Sequence, residues 1–467
     1  MDSTLYFDFS PIYALSTPYG TSAIAVFRVS GKGSFNNIKK VFSSPKAFDN
    51  VAEPKLKHGY IKDIKTGEKV DEVVLSIYPE GHGYTREEAV EISTHGSLAV
   101  IKKLNEVLEG VGFRKAEGGE FSFRAFRNGT LTLTEAEAVL DIIESTTEKT
   151  REAAMKSKSG VLDKRIEDIY EKLVSLSSLL ELQVDYSEDE YDEDISFPYD
   201  EIKDILTKLS YLKDNYRVSD ILKGGVNVAL VGNTNAGKST LFNALLKTNR
   251  SIVSDEKGTT RDFIKESIEL GGVLYNLYDT AGLNENAKGV EKIGIDNTLE
   301  ILGNTDIILH LLPINEIEND NIESIKSYIP INAKNPNAKT ITILSKEDLS
   351  YNKENNVIQK LLENGAILYS AKTEEGMSEI IRAIQKEGED ITHFSNNDKE
   401  LLLISKTISN AVNRVYNLIS ELDERMPIEA STNILKDALY EFGTILGKEN
   451  PTDEVLDSLF SRFCVGK

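Results

Sequence analysis

Gly232-Asn233-Thr234-Asn235-Ala236-Gly237-Lys238-Ser239-Thr240 follows directly on Val226-Asn227-Val228-Ala229-Leu230-Val231. The second stretch is a run whose β-branched residues suit a buried strand. The first is Gly-x-x-x-x-Gly-Lys-Ser, so the spacing predicts a strand, a phosphate-binding loop and a helix in that order. Gly232 and Gly237 permit the tight turn that aims successive N–H groups and a helix N-terminus at a polyphosphate. Lys238 is placed to reach the β- and γ-phosphates, and the Ser239 hydroxyl to ligate Mg²⁺.

The residues downstream follow in the order a GTP-binding domain requires. The loop Ser254-Asp255-Glu256-Lys257-Gly258-Thr259-Thr260 comes after the expected helix, and Thr260 could complete the Mg²⁺ shell. Two short strands flank Gly271-Gly272 and predict a β-hairpin. The second delivers Asp279-Thr280-Ala281-Gly282, with Asp279 expected to hold the metal through water and the Gly282 N–H to meet the γ-phosphate. Asp306 to Leu312 and Thr340 to Leu344 are two further buried strands. The latter ends in Ser345-Lys346-Glu347-Asp348, where a guanine reader has Asn-Lys-x-Asp, and Ser370-Ala371-Lys372 follows Ile367-Leu368-Tyr369. Each motif alone is weak, but the ordered set at strand ends indicates a GTPase.

Two positions depart from the usual pattern. Ser345 replaces Asn and is expected to be too short to bridge to the phosphate loop, which predicts weaker nucleotide affinity. Asp348 still selects guanine, because its carboxylate accepts two hydrogen bonds from groups that adenine lacks. Leu283 stands where Ras-type GTPases carry a water-positioning Gln, so hydrolysis must find its catalytic groups elsewhere. Asn235 could offer its amide oxygen to a monovalent cation lying where an arginine finger would put positive charge. Glu291, in the stretch Asn284 to Gly294, is either a catalytic group on a switch loop or one more solvated glutamate.

These motifs, together with Val290-Glu291-Lys292-Ile293-Gly294 and a chain ending Phe463-Cys464-Val465-Gly466-Lys467, closely resemble the bacterial and organellar MnmE (TrmE) family of tRNA-uridine modification GTPases. The likeness runs through the whole chain, including Ala14 to Gly20, Ile24 to Gly31, Tyr84-Thr85, Thr94-His95-Gly96, Gly119-Glu120-Phe121 and Leu133 to Ala138. The resemblance implies a K⁺-stimulated, Mg²⁺-dependent GTPase. Asn235, Ser254, Glu256 and Thr259 would surround the K⁺, and Glu291, Asn235 and Lys238 would be its catalytic residues.

It further implies a homodimer that forms a heterotetramer with a flavoprotein of the MnmG (GidA) type, FAD being held only by that partner. The pair would add an aminomethyl or carboxymethylaminomethyl group at C5 of the wobble uridine of certain tRNAs. A tetrahydrofolate derivative would bind the N-terminal domain through Arg28, Glu91, Thr130 and Lys467. A carboxylate can take the amino-imino edge of a pterin, and a guanidinium a carbonyl or carboxylate. Without the resemblance Arg28 is also readable as a surface strand residue and Glu91 as a solvated strand end. Thr130 replaces a basic residue of the family pattern. Cys464 does not fit a prenylation box, since Lys467 is not a usual last residue. It is either an inert thiol or a participant in the modification.

Composition agrees. A chain of 467 residues is too long for one core and predicts two or three domains. With 54 basic against 76 acidic residues, net −22, the balance argues against bulk electrostatic capture of nucleic acid, and if RNA is the substrate a local patch or a partner must grip it. No run reaches the ~18 apolar residues of a membrane span, Met1-Asp2-Ser3 opens no signal peptide, and the single cysteine suits a reducing compartment, so the expected location is cytoplasmic and off the membrane.

The expected architecture is an α/β N-terminal folate-binding-like domain over residues 1–125, an all-α helical domain in two pieces, 126–222 and 389–467, and an inserted α/β Ras-like P-loop GTPase domain over 223–388. Leu162, Ile166, Ile169, Leu173, Leu176 and Leu180 mark a helix seam, and Ile404, Ile408, Val412, Val415, Ile419 and Leu422 another. Residues 185–194 carry seven carboxylates and read as a solvated connection. Two rival readings are a ribosome-assembly GTPase of the Era type, which gives no reason for the FCVGK ending, and a folate-dependent transferase with a structural G domain.

Overall fold

The structure, a computed structural model, describes residues 8–185, 197–233, 235–249, 265–279, 303, 305–317, 338–392, 402–449, 456, 460, 463 and 466. It forms two compact units. One comprises Met1–Leu140, Ser157–Tyr211 and Ser405–Lys467, the other Asp141–Lys156 and Leu212–Ile404.

In the first unit, six described strands form one sheet: β1 (Ile12–Leu15), β2 (Ser22–Ser30), β3 (Lys55–Lys62), β4 (Lys69–Tyr78), β5 (Ala89–Gly96) and β6 (Arg114–Lys115), in the order β3-β4-β5-β2-β1-β6. All neighbours are antiparallel except β1 and β6. Along β2, Ala25, Phe27 and Val29 alternate into a core shared with Ile101 and Leu104 of α2 (Leu98–Gly110) and with Phe35 and Ile38 of α1 (Ser34–Lys39). That period-2 burial turns Val26 and Arg28 to the opposite face. The sequence does not mark β3, because Lys55, Leu56, Lys57 and His58 are all exposed on an edge strand defended by lysines. Then come α3 (Glu120–Arg127) and the start of α4 (Leu133–Glu144).

The rest of this unit is helical. α6 (Val161–Asp185) buries Leu162, Ile166, Ile169, Leu173, Leu176 and Leu180, the seam its spacing predicts, and packs against α12 (Ile428–Ile445), which in turn packs against α11 (Lys406–Ser420). α11 starts later than its apolar spacing suggests. Ser405 is its N-cap, accepting from the Ile408 N–H, and Ile404 belongs to the other unit, where its N–H bonds to Ser219 Oγ at 3.0 Å. α7 (Tyr199–Gly224) contributes to both units, dividing after Tyr211. The acidic connection read at residues 185–194 lies, beyond Asp185, outside the described residues.

The second unit holds the other sheet: β7 (Val226–Gly232), β8 (Lys265–Leu270), β9 (Val273–Asp279), β10 (Ile307–Pro313), β11 (Lys339–Ser345) and β12 (Ile367–Tyr369), in the order β12-β11-β10-β7-β9-β8. Pairing is parallel except for the β8–β9 hairpin, which turns at Gly271-Gly272. α8 (Lys238–Asn249), α9 (Asn356–Glu363) and α10 (Met377–Thr392) complete the described helices there with α5 (Glu148–Lys158). Ala153 and Ala154 of α5 lie in one core with Leu230, Tyr275 and Leu309, which is why 141–156 falls in this unit rather than with the helices that flank it in sequence.

Candidate functional site

In the second unit, the carboxyl ends of β7, β9, β10 and β11 lie side by side, the place where open α/β sheets bind ligands. Gly232 ends β7 opposite Leu311 of β10, and any Cβ there would lie 2.4 Å from the Leu311 carbonyl oxygen. The chain then turns through positive φ at Asn235 (64°) and Gly237 (96°) and enters α8 at Lys238. Asn tolerates the left-handed region better than most side chains, so its presence at 235 suits the turn as well as any ligand role.

Lys238 is buried, and its Nζ donates to the carbonyls of Gly232 (2.8 Å) and Asn233 (3.0 Å). Burial pushes its pKa down, with Asp279 pulling the other way. Next to it, Ser239 Oγ donates to Asp279 Oδ2 at 2.7 Å, while Asp279 Oδ1 is buried with no hydrogen-bond partner among the described residues. A hydroxyl beside a carboxylate with a buried, unused oxygen is a donor set that a hard cation such as Mg²⁺ fits.

Ser345, at the end of β11, is 2% exposed, and its Oγ donates to the Ala236 carbonyl at 2.7 Å. The expectation that serine is too short to reach the phosphate loop is therefore wrong. The parallel β7-β10-β11 register brings the loop to within one hydrogen bond of a short side chain, and the ground for weaker nucleotide affinity goes with it. Lys346 adopts φ 62°, and Asp348 Oδ1 accepts from Ser370 Oγ at 3.0 Å, which holds the carboxylate at the sheet's end. Ala371 and Lys372 are exposed in the following turn, as is Thr240 in α8. Ser254, Asp255, Glu256, Lys257, Gly258, Thr259, Thr260, Thr280, Ala281, Gly282 and Glu291 lie outside the described residues.

In the other unit, Arg28 of β2 and Glu91 of β5 are register partners. Arg28 donates from Nε (3.1 Å) and Nη2 (2.8 Å) to Glu91 Oε1, and its remaining fork, Nη1, reaches the carbonyl of Gly466 at 3.3 Å. The guanidinium carbon is 5.7 Å from the Tyr84 ring centre and 5.8 Å from that of Phe121, the first residues here that sequence reasoning did not single out as site residues. Both had a signal, since each sits in a motif quoted for the family likeness. Tyr84 is bonded to Ser122 of α3 at 2.8 Å. Fully buried Arg124 ties α3 to Glu87 and the Ser10 carbonyl and pairs within the helix with Glu120.

Thr130 follows α3, donates its N–H to the Ala125 carbonyl and keeps a buried hydroxyl with no partner among the described residues. Asn128, two residues earlier, bonds the Thr85 carbonyl at 2.7 Å and so joins this turn to the Tyr84 segment. The half-buried Glu91 carboxylate, paired with a guanidinium that lies near two rings, fits a flat heteroaromatic ligand with polar edges. Cys464 and Lys467 lie outside the described residues.

Residues 133–464 match the model of the MnmE helical domain, and residues 11–130 that of the N-terminus of the GTP-binding protein TrmE. The tRNA modification GTPase MnmE of Treponema denticola is 36% identical over 98% of each chain. Those of Flavobacterium johnsoniae (35%; 98% of this chain, 99% of that one) and Caldicellulosiruptor saccharolyticus (34%; 98% and 100%) are similar. Among solved structures, the G domain of the T. maritima FeoB iron transporter is matched at TM-score 0.27 and 25% identity, over 35% of this chain and 98% of that one, a likeness too weak to bear on function. With more than a third of its residues shared with one relative along nearly its full length, and both family models matched in order, the chain belongs to the MnmE family of tRNA modification GTPases.

Proposed function

We propose that this chain hydrolyses GTP to drive modification of tRNA, adding an aminomethyl or carboxymethylaminomethyl group at C5 of the wobble uridine together with a flavin-dependent partner of the MnmG type. The observation that carries the reading is the pairing, in one chain, of the Lys238, Ser239 and Asp279 phosphate end with an Arg28–Glu91 site that the C-terminal segment reaches through Gly466.

At the first end, Lys238 exchanges its loop carbonyls for phosphate oxygens, and Ser239 and Asp279 hold Mg²⁺, which when bound neutralises the phosphate charge. Ser345 braces the loop through Ala236, while Asp348, held by Ser370, reads guanine. Asn235 supplies an oxygen to K⁺, and Glu291 acts on the attacking water. The intact Lys238, Ser239 and Asp279 arrangement favours turnover over a G domain kept only for structure.

At the second, a tetrahydrofolate derivative supplies the one-carbon unit when bound. Glu91 accepts from the pterin edge, Arg28 orients a carbonyl or carboxylate, and Tyr84 and Phe121 flank the guanidinium. The protein works as a cytoplasmic homodimer, in a heterotetramer with its partner. Mass spectrometry of tRNA nucleosides from cells lacking the chain tests the reading. Unmodified wobble uridine is the expected result, and an unchanged nucleoside profile rejects it.

A further inference from the structure

Phe460, Phe463 and Gly466 meet the N-terminal part of their unit through backbone, at Gly118 and Gly119 between β6 and α3 and at Leu15 of β1. A Cβ on Gly118 would lie 2.6 Å from the Phe463 carbonyl oxygen, and one on Gly119 would lie 2.5 Å from that of Phe460 and 3.0 Å from Phe463 Cβ. Gly466 in turn presses against the Leu15 carbonyl, with 3.0 Å to an added Cβ. Phe460 and Phe463 are buried, with their rings 5.6 Å apart and tilted by 39°, and Phe460 meets Phe123 edge-on at 5.5 Å. Aromatic burial of this kind gives adhesion, but it tolerates sliding. Carbonyl-to-Cα approaches that exclude a methyl group do not, because interiors are close-packed and a displaced backbone carries its neighbours with it.

We propose that Gly118 and Gly119 are positioning residues for the one-carbon site: they set the register in which the C-terminal segment docks, and so place the Gly466 carbonyl on Arg28. Gly466 accepts from Arg28 Nη1 at 3.3 Å and from Ser16 Oγ at 3.4 Å, and Cys464 lies in sequence between Gly466 and the seated Phe463. One methyl group at 118 would lift Phe463 and lose that register. The functional half of the inference rests on the reading given under Proposed function; the docking half stands on the contacts alone.

The test compares full-length Gly118→Ala with Gly20→Ala, a glycine with nothing within 4 Å of an added Cβ. Cleavage by trypsin after Arg462 removes the last five residues, which intact mass reads, and it should quicken when Phe463 leaves its seat. Gly118→Ala should release them roughly tenfold faster than wild type, the ratio expected of a modest overpacking penalty, while Gly20→Ala matches wild type. Equal release from Gly118→Ala overturns the proposal.

A second comparison guards against general misfolding. In a chain whose tail is already loosened by Phe460→Ala and Phe463→Ala, adding Gly118→Ala should leave the melting midpoint unchanged, since the groups it disturbs no longer meet. A further drop as large as in the wild-type background would show that Gly118 serves the domain's own fold and reject the proposal. Complementation separates the two readings. If a strain lacking the chain keeps normal tRNA nucleosides, the proposed function fails, and trypsin still decides the docking. If that strain loses the modification, wild type should restore it and Gly118→Ala should not. Restoration by Gly118→Ala rejects the positioning role.

Discussion

The phosphate end of the nucleotide-binding unit and the Arg28–Glu91 site are built by opposite strategies. Gly232, Lys238 and Ser239 sit within eight residues of chain, and their geometry follows from one strand, one turn and one helix. Arg28 and Glu91 are 63 residues apart, and the Gly466 carbonyl that Arg28 also holds is 438 residues away. The first site is preorganised by local backbone conformation. The second exists only when a sheet register, a helix and a terminal segment are all in place. A local site should fail one contact at a time, while an assembled one should be sensitive to changes far from it in sequence.

Lys238→Ala should have the largest effect. Removing a buried charged donor should weaken binding of a fluorescent guanine nucleotide on the order of a hundredfold, and leave binding of a tetrahydrofolate derivative unchanged. Loss of both would mean that the two sites are not built independently. Arg28→Ala is the converse. It strands Glu91 without its partner and should weaken the folate derivative roughly thirtyfold, with GTP turnover kept; normal folate binding would remove Arg28 from the site.

Ser345→Ala sharpens the comparison from within the local site, since this one contact comes from a strand 109 residues away. It leaves the Ala236 carbonyl without its donor and should weaken nucleotide binding roughly fivefold. A neutral result would return Ser345 to the role of a side chain too short to matter.

The smallest effect concerns His310 in the middle of β10, 1% exposed, whose Nε2 has no hydrogen-bond partner among the described residues and whose pKa burial lowers from 6.5 to about 4. Above pH 6.5 the imidazole is neutral whether folded or unfolded. As pH falls from 6.5 toward 4 the unfolded chain takes up a proton that the folded one refuses, so stability is lost through that window. The melting midpoint of the wild type should fall there more steeply than that of His310→Leu, and parallel slopes would contradict the assignment.

The nucleotide motifs were legible because each carries its own backbone instructions: β-branched residues for the strand, glycines for the turn, an ordered series at strand ends. The misreading of Ser345 has the same source. Side-chain length is visible in a sequence, but the distance to be bridged is set by how β11, β10 and β7 stack in register. Ile404 kept a helical spacing yet precedes the Ser405 cap, because an apolar residue fits a linker core as well as a helix face.

Sequence by itself determined that this chain holds a GTP-type phosphate loop, that its apolar stripes form helices, and that its ends carry the marks of one family. Those properties reside in neighbouring residues, whose torsions and periodicity are nearly independent of context. Tertiary structure alone decided that 141–156 joins the nucleotide-binding core, that Tyr84 and Phe121 flank Arg28, and that Gly118 and Gly119 receive Phe460 and Phe463. Those depend on which buried faces close against each other, and a close-packed interior fixes such distances only after the whole unit has folded.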